Sequence, residues 1–83
     1  MELEQLRSFT RTRLASGALP REKCQVTWFG PGLGRPCDLC GRQITRSEIE
    51  CECEQSSGPT LRFHQACFAV WDDERQQPDG AVS

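Results

Sequence analysis

The residues with the most chemistry to offer form two short pairs, Cys37-Asp38-Leu39-Cys40 and His64-Gln65-Ala66-Cys67, with 23 residues between them. A C-x2-C step lets a tight turn bring two sulfurs to one ion while backbone N–H groups of the turn face the sulfurs. An H-x2-C step at the head of a helix puts an imidazole and a thiol on one face, three residues apart. Four such donors suit a tetrahedral Zn²⁺, with Zn–S of about 2.3 Å and Zn–N of about 2.0–2.1 Å. His64 is the single histidine of the chain, and a lone histidine is ordinarily a packed or solvated side chain. Cysteines at matching spacing overturn that default. The positive end of the helix favours thiolate at Cys67, and Gly41, directly after the knuckle, suits the positive φ such turns require. Cys37, Cys40, His64 and Cys67 are therefore the expected ligands of one Zn²⁺. With four protein ligands and no vacant position, the site reads as structural.

The rest of the composition asks for such a staple. Eighty-three residues with 36% hydrophobic content make one small domain with a thin core, and domains of this size need disulfides, a metal or a partner chain. The N-terminal MELEQLRSFTRTRL carries Glu2 and Glu4 and lacks the apolar run of a secretory signal. No stretch approaches the roughly 20 apolar residues of a membrane span. A cytoplasmic, reduced protein is the expectation, in which clustered cysteines mean metal rather than disulfides. Cys51 and Cys53, two apart on a strand, have Cβ atoms roughly 6–7 Å from each other, too far to bridge. They and Cys24 are expected to be packed thiols outside the metal set.

The elements that must position the ligands follow from periodicity. Residues 2–16 read as an amphipathic helix with Leu3, Leu6, Thr10 and Leu14 on one stripe. Gly17 and Pro20 end it. That helix is expected as a lid packed on the remainder, making residues 1–20 one segment. Residues 21–36 form an extended arm in which Cys24, Val26 and Trp28 alternate with polar residues, followed by the glycine-rich GPGLG. No Gly-Lys-Ser/Thr follows those glycines, so the loop is no phosphate cradle; it bends the chain into the knuckle. Residues 37–77 carry the zinc module. Within it, SEIECECEQ alternates strictly, with Ile49, Cys51 and Cys53 expected inward and Glu48, Glu50, Glu52 and Glu54 outward. QSSGP turns the chain into a second strand, TLRFH, and a helix runs from about His64 to Gln76. Residues 78–83 are expected to fray.

The phrase Phe63-His64-x-x-Cys67-Phe68 after the C-x2-C knuckle resembles the first zinc module of a LIM domain and, more broadly, a treble clef. The resemblance covers about residues 37–71 and implies the same four ligands. A LIM domain continues into a second zinc module whose first ligand falls three residues after the fourth, and here that position is Val70. The chain is therefore similar to short bacterial proteins with a single treble-clef module. The implied fold is a small zinc-stabilised α+β domain: N-terminal helix, zinc knuckle, β-hairpin and C-terminal helix.

Charge and motif narrow the function classes. Residues 1–47 hold eight basic against four acidic side chains, a net of +4, and residues 48–83 a net of −6. A non-catalytic protein-interaction or adaptor module fits this split, with an unidentified protein partner or a second copy as the ligand. The exposed side of the first helix and the acidic run Asp72, Asp73 and Glu74 are the candidate surfaces. The alternative is nucleic-acid binding through Arg7, Arg11, Arg13, Arg42 and Arg46, against which stand a pI near 5.3 and the lack of a basic run. A membrane-surface role is disfavoured by the two glutamates in the first turn. Pro36-Cys37-x-x-Cys40 matches half of a zinc-deaminase signature, but His64-Gln65-Ala66 lacks the required glutamate, so no enzyme is expected.

Overall fold

The computed structural model describes residues 2–77 and contains two helices and one three-stranded sheet. The tail expected to fray, 78–83, lies outside the described residues.

Helix α1 spans Leu3–Ser16 and buries Leu6, Thr10 and Leu14, the stripe set by their spacing. Leu3, expected on that stripe, is 56% exposed because the partner surface begins one turn later. Glu2 caps the start, its side chain accepting from the Gln5 N–H at 3.0 Å. Gly17 ends the helix with φ of 83°, a left-handed turn costing a glycine little. Arg7 and Arg11 reach across to α2 (Gln65–Arg75), where Arg7 pairs with Asp73 and Glu74 at 2.7 and 2.8 Å and Arg11 with Glu74 at 2.9 Å. An ionic clasp thus joins α1 to α2 in addition to its buried stripe.

The sheet runs β1 (Val26–Pro31), β2 (Ile49–Glu54), β3 (Leu61–His64), all antiparallel and in that order. The arm thus becomes an edge strand of the hairpin's own sheet. Side chains of Cys51, Phe63 and Leu61 face α2, and the rings of Phe63 and Trp71 stack with centroids 5.1 Å apart. Trp71 is fully buried, and its indole N–H donates to the Pro20 carbonyl at 3.0 Å, tying the chain after α1 to α2.

Three expectations fail here for identifiable reasons. Cys24 and Cys53 are joined by a disulfide across a sequence separation of 29. The antiparallel register sets Thr27 opposite Cys53, which carries the chain just before β1 back toward that sulfur. Of the three spare cysteines only Cys51 is the buried thiol expected, fully enclosed and pushed up in pKa by burial. Ile49 is 44% exposed, since the start of β2 extends past the cover of α2. Glu50 keeps to the glutamate face but is only 3% exposed rather than open to water, because Arg35 lies against it at 3.2 Å.

Candidate metal centre

Each ligand pair is held by a different local device. Segment 34–37 folds against 42–44 as a miniature hairpin: Gly34 N–H donates to the Ile44 carbonyl, Ile44 N–H to that of Arg35 and Cys37 N–H to that of Arg42. Pro36 bridges Gln43 across it. The turn at its tip is Cys37–Gly41, closed by the Gly41 N–H on the Cys37 carbonyl at 2.9 Å, with Gly41 at φ 79°. Leu39 N–H points at the Cys37 sulfur from 3.4 Å, the N–H···S contact expected of a knuckle. Where the loop turns in from β1, Gly32 runs so close to the Ile44 and Thr45 carbonyls that no Cβ would fit. That contact, rather than phosphate binding, is the work of the glycine-rich stretch.

The second pair sits at the junction of β3 and α2, with His64 as N-cap and Cys67 in the first turn. Asp38 joins the two halves. Its N–H donates to the Arg62 carbonyl and its Oδ2 accepts from the Arg62 N–H, both at 2.7 Å. The knuckle is thereby docked to the strand that delivers His64.

The outcome is one cluster. The ligand atoms of Cys37, Cys40, His64 and Cys67 all lie within 4.8 Å of one another, so the four expected residues meet and could hold one metal ion. A tetrahedron with bonds of about 2.3 Å has edges of about 3.8 Å, so only small inward movements separate this arrangement from coordination. His64 Nδ1 is the nitrogen facing the sulfurs, 3.3 Å from Cys40 and 3.9 Å from Cys67. Its Nε2 faces the Gln43 carbonyl at 3.1 Å and Glu48 at 3.3 Å. A proton on Nε2 leaves the Nδ1 lone pair free for a metal, so the outer partners select the tautomer that can ligate. Neither partner follows from the spacing of the four ligands. Both lie in the connection between the pairs: the miniature hairpin brings Gln43 to the ring, and the turn from Thr45 to Glu48 brings Glu48.

The electrostatics fit a cation. The Cys67 thiol donates to Cys37 and lowers it to about 4, while that same contact pushes Cys67 up. A metal ion takes the place of that proton, as thiolate ligation requires. Arg42 lies beside Cys40, and this contact raises its guanidinium. Cys37 and Cys67 are buried and Cys40 is half-buried. Cys51 and the Cys24–Cys53 pair lie outside the cluster. No family model, curated protein or solved structure matches the chain. Among the described residues no helix is long and apolar enough to cross a membrane.

Proposed function

We propose that the chain is a single treble-clef-like module in which one Zn²⁺ serves as a structural staple and whose task is to bind another protein without catalysis. The observation that carries this is the composition of the cluster: three thiols and one imidazole, converging within 4.8 Å, supply every position of a tetrahedral site. Soft thiolates with one imidazole select zinc over harder cations, and a full protein ligand set leaves no position for substrate. The order knuckle, hairpin, helix supports the treble-clef likeness.

The nucleic-acid alternative is weakened by where its arginines go. Arg7 and Arg11 are engaged with Asp73 and Glu74 of the same chain, and Arg42 lies beside Cys40. The same clasp engages Asp73 and Glu74 of the acidic run, and Asp72 pairs with Arg75. These internal pairs favour another face for a protein partner. For compartment, ligand thiols that must stay reduced agree with the cytoplasm, and the Cys24–Cys53 bond argues for an oxidising one. Mass spectrometry after alkylation in intact cells decides that point.

The deciding experiment has two arms. Metal analysis of folded protein should give one zinc per chain. Titration with duplex DNA should give no binding at physiological salt. An affinity whose logarithm falls steeply with log salt, at a slope of roughly −0.9 per phosphate contacted, would replace the protein-binding reading with the nucleic-acid one.

A further inference from the structure

The side of the sheet opposite α2 carries a groove beside β1. Trp28 pairs with Glu52 and Gly30 with Glu50 across the β1–β2 ladder, so these four positions share one face. With Pro31 and Leu33 they line a cavity of about 230 Å³. Its rim is apolar and open: Trp28 is 57% and Leu33 65% exposed. Its acid is not open, since Glu50 is 3% exposed, and while Arg35 takes Oε2, Oε1 has no hydrogen-bond partner. A buried carboxylate oxygen without a donor is costly. Gly30 has no atom within 4 Å of where its Cβ would stand, so that space is groove. A glycine inside a strand with such a gap marks a place where another molecule approaches.

The edge of β1 adds a direction. Gly32 N–H donates to the Glu48 carbonyl, and in the same register residues 26, 28 and 30 direct their backbone groups at β2. Thr27 and Phe29 therefore direct theirs away, along an edge that no other strand covers among the described residues. Pro31, lacking an N–H, ends that edge.

Charge selects the occupant. Around the groove, Glu50, Glu52 and Glu54 outnumber Arg35 and Arg62, which stands opposite Glu52 on β3. We propose that the groove receives an arginine side chain from an extended segment of a partner protein lying along β1. Glu50 Oε1 accepts from the guanidinium, Trp28 offers a π face to it, and Leu33 and Pro31 cover the methylenes. A planar guanidinium meets carboxylate and aromatic ring together in a way an ammonium does not. A second copy of this chain would bring further carboxylates to the same place. The competing use of Oε1 is internal: Arg35 Nε also lacks a partner and could turn toward it.

This inference deepens the protein-binding reading and rests on it. The test uses the zinc-loaded full chain and a capped peptide of alternating valine and arginine, compared with the same peptide carrying citrulline, which is neutral and nearly isosteric. Trp71 is fully buried, so emission changes report Trp28. Saturable binding is expected, at least about tenfold weaker with citrulline. Gly30→Val should abolish binding while zinc content and thermal unfolding stay unchanged, because it fills the groove without touching a charge. Equal binding of the two peptides, undiminished binding to Gly30→Val, or no binding at millimolar peptide would each overturn the proposal. Self-association abolished by Gly30→Val and not competed by the arginine peptide would assign the groove to a second copy instead, overturning it too. If the peptide fails while the protein still shows no affinity for DNA, the groove assignment falls and the protein-binding reading stands.

Discussion

Two regions of this small molecule use cysteine in opposite chemical states. At the knuckle end, Cys37, Cys40 and Cys67 remain thiols and converge with His64. Across the β1–β2 pair, Cys24 and Cys53 are oxidised to a disulfide. The candidate metal cluster gathers side chains from a turn and a helix start. The disulfide fastens an edge strand whose ladder already exists. The first staple is thus expected to decide whether the domain folds, and the second how firmly its edge is held.

The sharpest way to break the comparison is to remove each staple alone. Chelation, or Cys67→Ala, should abolish cooperative thermal unfolding even with the disulfide intact. Structural zinc supplies on the order of 10–16 kcal/mol in small peptides, which matches or exceeds the roughly 5–15 kcal/mol total stability of ordinary domains. Calorimetry with and without chelator checks this. Cys24→Ser should be milder. Opening a loop of 29 residues costs about 3–4 kcal/mol in the chain-entropy account, with zinc content unchanged. Loss of zinc in that variant would show that the two staples depend on each other.

Smaller changes sharpen the contrast. Glu74→Gln removes the acceptor shared by Arg7 and Arg11. It should cost about 1–2 kcal/mol at neutral pH, between the ranges for exposed and buried pairs. Burial pushes the Glu74 carboxyl up, but Arg11 and Arg7 outweigh it and the net shift is downward. A depressed folded-state pKa means that the carboxylate's contribution is present above its ordinary value near 4.5. It is lost as pH falls through the folded value. The gap between wild type and variant should therefore narrow as pH falls, as denaturation from pH 7 down to the lowest pH at which zinc is retained will show. Smallest of all, Cys51→Val should change stability by about 1 kcal/mol or less and leave zinc untouched, since a small apolar side chain replaces a buried thiol of similar size.

The two staples also differ in how far they could be read from the chain. The candidate metal ligands were legible because each pair is local: two residues of spacing fix a turn or a helix face. The same locality made α1, the β2–β3 hairpin and α2 readable to within a residue or two. Cys24–Cys53 was hidden because its geometry depends on the register of β1 against β2, a pairing between segments far apart in sequence. Alternation placed Cys53 inward correctly but is silent on what it meets there. Glu50 was misjudged for a related reason. Period-two patterning assigns every glutamate of that strand to water, and only the tertiary position of Arg35 shows that Glu50 is covered on that outer face. The clasp of Arg7 and Arg11 on Glu74 likewise joins the two ends of the described chain, and nothing local announces it.

The crowding at Gly32 has a bearing on which sequences can share this architecture. Gly30 and Gly32 are separated by one proline, yet a methyl group at 30 would meet open space while one at 32 would strike the Ile44 and Thr45 carbonyls. These carbonyls belong to backbone and have no rotamer to yield. Any replacement at 32, alanine included, must prise the start of the knuckle segment away from residues 44–45 and displace Cys37 with it. The fold's tolerance of substitution should therefore be sharply uneven where β1 runs into the loop, permissive at Gly30 and closed two positions later. In a lineage free to drift, Gly32 would be held as firmly as a metal ligand although it coordinates nothing.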